Sequence, residues 1–304
     1  MARLFSVNGA DALKSRASNR GFCGEAESSG LVMGERDNGP RASDGNAHAV
    51  ALIFGLPLVC AYSLHHAEEM VSSYVSHRPA MPFLVTFVNP FAVKLVGSDP
   101  EYRANLHRMD FVFCDGIALV WAARRIAHRS MERVSFDSTG IAPSIFSIAQ
   151  EHGRTIALVG GREGVAKAAA ARVRESFPRL RIVSAVDGYR TSEDLIRTIV
   201  DVDPDIVVCG MGAPLQEAFL MALAGAGWSG AGFTCGGYLD HLVDRFDFYP
   251  SIINRLNLRW LYRLAREPRR IGYRVVVEYA PFWRAIGREF LRGALPIQRR
   301  GGRP

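Results

Sequence analysis

Acidic residues and lysine are nearly absent from the C-terminal end of the sequence. Residues 251–304 contain thirteen arginines, no lysine and three glutamates, so this segment carries about ten positive charges in a chain of net charge +7. Ordinary surface helices mix glutamate with arginine to form ion pairs one turn apart, and this segment has few acidic partners to offer. We therefore predict a surface that contacts phosphate groups, either on a lipid or on a pyrophosphate substrate.

The arginines of this basic segment recur at helical spacing. A first set falls on one side of a helical wheel: Arg255, Arg259, Arg263, Arg266 and Arg270. A second, shorter set repeats the pattern: Arg284, Arg288 and Arg292. Pro268 and Pro281 divide the segment into separate helices. The pattern predicts basic amphipathic helices, and the alternative is a solvated charged face over ordinary core helices.

Paired cysteines and a membrane-spanning pattern are also missing. The five cysteines stand singly, without a C-x-x-C pair: Cys23, Cys60, Cys114, Cys209 and Cys235. This usage is typical of small buried thiols in a reducing cytosol and argues against disulfide or zinc roles. The uncharged run at residues 49–62 contains Gly55 and Pro57 and is shorter than a spanning helix. It predicts a buried strand followed by a turn, which we favour over a membrane anchor.

Residues 1–48 lack apolar periodicity and are predicted to form a flexible leader outside the fold.

From residue 49 to residue 244, short apolar runs alternate with helical patterns. The runs predict strands at residues 83–88, 111–114, 155–160, 181–186, 205–212 and 231–237. Helical patterns lie between them, at residues 142–151, 164–177, 193–202 and 215–226. The chain is therefore predicted to be an α/β protein with a Rossmann-like, mainly parallel sheet covered by helices on both faces. Residues 245–304 form the predicted basic helical appendage.

Three of the predicted strands end in glycine turns, and parallel sheets bind ligands at this end of their strands. The turns contain Gly160 and Gly161, Gly210 and Gly212, and Gly236 and Gly237. The first two lead into helices, whose N-terminal N–H groups can bind a phosphate. Each turn alone is equally well explained as a tight connection without a ligand. Three at one edge favour a groove for a nucleotide or sugar phosphate.

Two acidic positions are candidates for chemistry. Asp115 directly follows an apolar strand and precedes Gly116, a position suited to a general base, although capping of the next helix explains it equally well. Asp201, Asp203 and Asp205 have the spacing of a metal site, but they precede a strand and Pro204 makes them a connector. We predict no metal there.

The order of motifs resembles the WecG/TagA/CpsF family, glycosyltransferase family 26. The resemblance covers about residues 51–292. It rests on FGLPL at 54–58, VNP at 88–90, DPEY at 99–102, CDG at 114–116, ERV at 132–134, LVGGREG at 158–164, DGY at 187–189, GMGAPLQE at 210–217, CGGYLD at 235–240 and LRWLYRLAREPRR at 258–270.

The resemblance implies an enzyme that moves a sugar from a UDP-sugar to a polyprenyl-pyrophosphate-linked acceptor, with inversion and without a metal or another cofactor. The implied setting is polysaccharide biosynthesis at the cytoplasmic face of the inner membrane, to which the protein would bind peripherally through anionic lipid. No nucleic-acid partner is implied.

The resemblance also assigns residues. Asp115 matches the catalytic base, and the donor would be bound by the three glycine turns together with Asn89, Gln216 and Glu217. Arg133 and Arg263 match arginines of the family site, and we predict that they bind the acceptor pyrophosphate together with Arg259 and Arg270 of the basic segment. Glu217 as a simple helix cap and Arg133 as a surface ion-pair partner remain alternatives.

Several positions depart from the family pattern. Phe87 occupies the place of a threonine, and Thr86 faces the opposite side of the strand, which argues against a site role for it. Leu215 and Phe248 stand where basic residues are usual, and Arg259 replaces a glutamate. These changes predict shifted phosphate contacts, or a different donor or acceptor.

Two other functions are open on sequence alone. A nicotinamide-dependent oxidoreductase could use the turn at Gly160, Gly161 and Gly164, with Asp187 binding the ribose. It lacks the first G-x-G spacing and an evident catalytic histidine or tyrosine–lysine pair. A non-enzymatic lipid-binding protein could use the basic segment alone, but it leaves Asp115 and the glycine turns unexplained.

Overall fold

The computed structural model describes residues 48–244, 265 and 268–294. Eight strands lie in this part of the chain: β1 (Val50–Ile53), β2 (Leu56–Val59), β3 (Phe83–Val88), β4 (Phe111–Cys114), β5 (Thr155–Gly160), β6 (Arg181–Val186), β7 (Ile206–Gly210) and β8 (Ala231–Thr234). The predicted bounds of β3, β4, β5 and β6 are confirmed. Strands β7 and β8 end before their predicted limits because the glycines that follow belong to the turns.

The helices of the first described range are α1 (Leu64–Ser76), α2 (Phe91–Ser98), α3 (Pro100–Arg108), α4 (Ile117–Ala127), α5 (Ala142–Glu151), α6 (Val165–Ser176), α7 (Ser192–Val202), α8 (Leu215–Gly225) and α9 (Tyr238–Asp244). Near the C-terminus lie α10 (Pro268–Tyr273), a π-helical segment (Arg274–Glu278) and α11 (Ala280–Ala294). Of the two prolines predicted to break the helices, Pro268 follows residues outside the described part of the chain and Pro281 is the second residue of α11.

The apolar run at residues 49–62 folds differently from the single strand predicted. It forms an antiparallel hairpin in which Val50 pairs with Val59 and Ile53 pairs with Leu56. The two turn residues, Phe54 and Gly55, both have positive φ angles (52° and 80°). Two such residues match the right-handed twist of the flanking strands, so the turn closes a second strand onto the first.

Six strands form one parallel sheet in the order β4-β3-β8-β7-β5-β6. Side chains alternate between its faces, and a hydrophobic cluster covers each face. On β3, for example, Val85 belongs to the cluster packed by α1, α5, α6 and α9, while Leu84 belongs to the cluster packed by α2, α3, α4, α7 and α8. This confirms the predicted Rossmann-like α/β fold.

Helix α11 packs against the core through Phe282. This side chain is fully buried in the cluster on the α8 face, and its ring lies edge-on to Phe54 in the hairpin turn, with centroids 5.9 Å apart. The exposed arginines Arg284 and Arg288 follow on the same helix. No helix in the described part of the chain has the length and apolar character needed to cross a membrane.

Candidate functional site

The predicted site residues meet at one edge of the sheet. All six strands are parallel, so their carboxyl ends lie together, and they follow the sheet order β4-β3-β8-β7-β5. Asp115 follows β4, Asn89 follows β3, and the three glycine turns follow β8, β7 and β5. Four strand spacings of about 4.8 Å separate the two ends of this row, or roughly 19 Å. We call this row the carboxyl edge.

A crevice is expected between β5 and β7. The chain leaves β5 toward β6 on one side and leaves β7 toward β8 on the other, so the connections diverge between two neighbouring strands. Helices α6 and α8, which follow these strands, also belong to opposite faces of the sheet. Open α/β sheets bind ligands at such a switch point. The helix N-termini at Val165 and Leu215 therefore flank the natural position for a phosphate.

Close backbone packing explains the glycines at the centre of this crevice. A Cβ atom on Gly160 would lie 2.4 Å from the Gly210 carbonyl oxygen, and one on Gly210 would lie 2.9 Å from the Gly236 carbonyl oxygen. Gly161 N–H also donates to the Gly210 carbonyl (3.2 Å). The three predicted turns are therefore one packed unit. Gly160 and Gly210 are buried, whereas Gly161, Gly212 and Gly237 are at least partly open to solvent.

Asp115 lies at the β4 end of the carboxyl edge. Its N–H donates to the Val88 carbonyl oxygen (2.7 Å), which extends the β3–β4 pairing by one residue. Its side chain is 35 % exposed and accepts a hydrogen bond from Arg133 (2.8 Å from Nη1 to Oδ1). The contact with the neighbouring guanidinium fixes the orientation of the Asp115 carboxylate.

Arg133 is held between two carboxylates. Its Nη1 atom lies 2.8 Å from Asp115 Oδ1 and 4.0 Å from Asp137 Oδ2, and its side chain is 18 % exposed. The structure thus brings Arg133 to the site, as the resemblance implied, and gives it a contact with the proposed base that the sequence did not reveal.

Asn89 lies beside Asp115. A Cβ atom on Gly116 would be 3.4 Å from Asn89 Cβ, so the ends of β3 and β4 touch. The Asn89 side-chain oxygen accepts from Phe91 N–H (2.9 Å) and holds the start of α2. The Arg274 guanidinium lies 5.7 Å from the Phe91 ring centroid. Arg274 was not among the predicted site residues, and it places a cation from the π-helical segment beside the residues that follow β3.

Gln216 and Glu217 lie in the first turn of α8 and are buried. Glu217 Oε1 accepts from Thr86 Oγ1 (2.8 Å) and Gln216 Nε2 (3.0 Å), and Gln216 Oε1 accepts from Gly236 N–H (3.1 Å). Burial raises the pKa of the Glu217 carboxyl. Thr86 faces away from the Phe87 side, as predicted, but its contact with Glu217 was not predicted.

The other three arginines predicted to bind the acceptor pyrophosphate belong to the C-terminal basic segment. Arg259 and Arg263 lie outside the described residues, as does Phe248, and Arg270 belongs to α10.

The acidic connector before β7 has structural partners at the opposite edge of the sheet. Asp205 accepts from the Thr155 N–H and hydroxyl groups (2.8 and 2.9 Å), and Asp203 forms an ion pair with Arg78. No group of three or more histidine, cysteine or acidic residues is arranged to hold a metal ion within residues 48–244, 265 and 268–294.

Comparison with known proteins agrees with the motif order. The profile described as the Glycosyl transferase WecG/TagA/CpsF family matches residues 51–295, which is most of the chain. The chain belongs to the WecG/TagA/CpsF family of glycosyltransferases. Membership decides in favour of a glycosyltransferase over the oxidoreductase and the non-enzymatic lipid-binding protein. Asp187 is the residue that would bind the ribose in the oxidoreductase. In the structure, its carboxylate accepts a hydrogen bond from Tyr189 N–H in its own loop (3.3 Å) and forms an ion pair with Arg190.

Characterised relatives share a type of acceptor. The chain is 29 % identical over 202 residues to a UDP-Gal:α-D-GlcNAc-diphosphoundecaprenol β-1,4-galactosyltransferase of Shigella boydii, covering 66 % of this chain and 83 % of that protein. It is 27 % identical over 217 residues to an N-acetylglucosaminyldiphosphoundecaprenol N-acetyl-β-D-mannosaminyltransferase of Bacillus subtilis strain 168, covering 71 % and 83 %. An enzyme of the same name from Bacillus spizizenii is 26 % identical over 215 residues, covering 68 % and 82 %.

Proposed function

We propose that this WecG/TagA/CpsF family member transfers a sugar from a UDP-sugar to a polyprenyl-diphosphate-linked sugar. The reaction would invert the anomeric carbon, use no metal ion and serve bacterial surface or exopolysaccharide synthesis at the cytoplasmic face of the inner membrane. The relatives' acceptors support the lipid-linked substrate. One observation carries the mechanism: a carboxylate held by an arginine lies on the same sheet edge as three glycine turns.

Asp115 acts as the general base in this proposal. Its carboxylate takes the proton from the acceptor hydroxyl as that oxygen attacks the anomeric carbon. The bond from this carbon to the diphosphate oxygen breaks at the same time, and UDP leaves with the electron pair. Attack from the face opposite the leaving group inverts the configuration. Arg133 holds the Asp115 carboxylate in place through its 2.8 Å contact.

The donor would lie along the carboxyl edge from the crevice between β5 and β7 toward Asp115, with its diphosphate beside the glycine turns. The N-termini of α6 and α8 can stabilise the negative charge that develops on the departing UDP. Fixed donors of this kind perform the task for which other enzymes use a divalent cation. Asn89 and Gln216 would complete the donor side. Arg259, Arg263 and Arg270 remain proposed contacts of the acceptor diphosphate, and Arg274 joins them through its position beside Phe91.

An apolar surface with basic neighbours supports peripheral binding to anionic lipid. Trp121 on α4 is 52 % exposed and stacks on Phe290 of α11, which is 51 % exposed, with centroids 6.0 Å apart. Leu291 is exposed beside Phe290, and Arg284 and Arg288 are exposed on the same helix. Aromatic rings and arginines together suit a membrane interface. Because α4 begins two residues after Asp115, this surface would hold the site near the lipid-linked acceptor.

A transfer assay on the full chain tests the proposal. Purified protein is incubated with GlcNAc-diphosphoundecaprenol and each of several radiolabelled UDP-sugars, with and without EDTA, and the lipid product is separated. We expect one donor to label the lipid with release of UDP, at a rate that EDTA leaves unchanged, and the anomeric coupling in the product to show inversion. Loss of transfer in EDTA with recovery in Mg²⁺ or Mn²⁺ would contradict the metal-independent mechanism. Absence of label with every donor would contradict the proposed acceptor.

A further inference from the structure

We propose that Glu217 is a positioning residue of the donor groove, which acts through the Gln216 side chain on the turn at Gly236 and Gly237. The inference rests on the proposed function, because it assigns the Gly236 turn to the donor. It differs from the role suggested by the motif, in which Glu217 itself would lie at the donor.

Burial places Glu217 behind the groove. The Glu217 side chain is fully buried in the first turn of α8, and Gln216 is 4 % exposed. The Gly236 turn is more open, since Gly236 is partly exposed and Gly237 is exposed. A donor in the groove therefore meets the glycine turn, while Glu217 lies beneath it and can act on the donor only through its neighbours.

A directed chain of hydrogen bonds ends on Glu217. Thr86 has one hydroxyl proton and donates it to Glu217 Oε1 (2.8 Å), so Thr234 must donate in its 2.8 Å contact with Thr86. The Phe87 N–H in turn donates to Thr234 Oγ1 (3.3 Å). The chain of hydrogen bonds thus links β3 and β8, two neighbouring strands, to one oxygen of a carboxyl group on α8.

The same oxygen fixes the Gln216 carboxamide. Because Gln216 Nε2 donates to Glu217 Oε1 (3.0 Å), Gln216 Oε1 points the other way and accepts from Gly236 N–H (3.1 Å). The Gly236 carbonyl in turn packs so closely on Gly210 that a Cβ atom there would lie 2.9 Å away. The orientation of one side-chain amide therefore sets the Gly236 turn and its contact with the β7 turn.

Stability alone does not explain a carboxyl group at this place. Glu217 Oε2 is buried without a hydrogen-bond partner in the described structure, and desolvation raises the pKa of the group. The titratable groups that face Glu217 are Tyr102 on α3 and Cys209 on β7. Burial raises the pKa of each of these two groups above its usual range. An apolar side chain would avoid the unmet hydrogen bond, so the group is better explained by what Oε1 holds.

Two substitutions of Glu217 separate this role from mere packing. Glu217→Leu removes the acceptor for Gln216, and we expect the donor KM to rise about tenfold, the effect of losing roughly 1.4 kcal/mol of binding, while kcat falls less than threefold. Glu217→Gln keeps a carbonyl oxygen for both donors, and we expect its donor KM to stay within about twofold of the parent value. A wild-type donor KM in Glu217→Leu would overturn the proposal.

A double-mutant cycle tests whether Glu217 acts through Gln216. The donor KM of the Gln216→Leu, Glu217→Leu double variant should match that of Gln216→Leu alone, whereas multiplied effects would overturn the proposal. Thr155→Val is the matched control, because Thr155 also donates to a carboxylate but lies at the opposite sheet edge. It should lower the Tm and leave the donor KM unchanged.

The remaining outcomes are also decisive. If Glu217→Leu does not fold, Thr234→Val breaks the chain of hydrogen bonds at a smaller site, and a donor KM two- to threefold above the parent value is expected. An unchanged KM there would count against the positioning role. Failure of the proposed function is distinguishable, since it would leave the parent protein itself without sugar transfer.

Discussion

The contact between Asp115 and Arg133 illustrates how single residues define this site. Asp115 stands at the end of an apolar strand, and this position alone indicated a base or a helix cap. The 2.8 Å contact with Arg133 adds a fixed orientation and a nearby positive charge. Asp137 Oδ2 also lies 4.0 Å from the same Arg133 nitrogen. The geometry allows Arg133 two roles, positioning of the Asp115 carboxylate and contact with the acceptor diphosphate.

Substitution of Arg133 distinguishes these two roles. If Arg133 mainly holds the base, Arg133→Ala should lower kcat about tenfold with little change in the acceptor KM, and Arg133→Lys should restore part of the rate. If it mainly binds the diphosphate, the acceptor KM should rise instead. Steady-state kinetics with the lipid-linked acceptor as the varied substrate separate the outcomes, and Arg172→Ala, on the exposed side of α6, provides a surface arginine control.

Glu217 should make the stability of the protein depend on pH. Burial raises the pKa of Glu217 above its ordinary value of 4.5, so the folded state holds the proton more tightly than the unfolded state. This contribution is fully present below about pH 4.5 and is lost as pH rises through the folded pKa. Glu217→Gln has no titrating carboxyl group at this position. The Tm of this variant minus the parent Tm should therefore increase between about pH 4 and pH 7. A constant Tm difference across that range would contradict the assignment.

At the scale of elements, the three glycine turns act as one unit because their backbones touch. Gly160 lies against Gly210, and Gly210 lies against Gly236, so strands β5, β7 and β8 end in a continuous surface. A turn moved by a few tenths of an ångström would displace its neighbours. This packing accounts for the glycines on structural grounds.

A methyl group at Gly160 should disturb this unit. Its Cβ would lie 2.4 Å from the Gly210 carbonyl oxygen, so Gly160→Ala should destabilise the fold by about 1–3 kcal/mol and weaken UDP binding. Gly153→Ala is the matched control, since Gly153 also has a positive φ angle but no atom within 4 Å of its Cβ position. It should cost about 1 kcal/mol and leave UDP affinity unchanged, as measured by thermal unfolding and calorimetry. Equal UDP affinities in both variants would contradict the coupled turns.

Local patterns predicted some elements well and others poorly, for physical reasons. Strands β3 to β6 are each followed by a polar residue or glycine, so the residues at which they end could be predicted. The hairpin was missed because Phe54, a bulky residue, adopts a positive φ angle beside Gly55. The contact between Thr86 and Glu217 joins residues 131 positions apart, and local periodicity carries no information on such pairs. The Asp115 position was predicted, whereas its contact with Arg133 required the folded chain.

At the scale of the whole molecule, the C-terminal helix is part of the packed structure. Phe282 is fully buried against the hairpin, and Phe290 stacks on Trp121 of α4. Removal of α11 would therefore expose core side chains as well as delete arginines. Membrane binding is better tested in the full chain, with substitutions at half-exposed positions.

The aromatic surface should contribute to vesicle binding. Replacing Trp121 and Phe290 together by serine removes two half-exposed rings, and we expect affinity for anionic vesicles to fall at least about tenfold, since each buried aromatic ring contributes about 1.5–3 kcal/mol. Val183→Ser, at an exposed position on edge strand β6, is the control and should bind like the parent protein. Co-sedimentation at fixed ionic strength measures the difference. Parent-like binding by the double variant would contradict a membrane role for this surface.

The central claim is that Asp115 is the base of a sugar transfer whose donor is bound elsewhere on the same edge. The most direct test measures the transfer rate and UDP affinity of Asp115→Asn side by side. Loss of a general base should lower the rate roughly 10²–10⁴-fold, while UDP affinity and Tm stay close to the parent values. A variant that keeps more than about a tenth of the parent rate would contradict the claim.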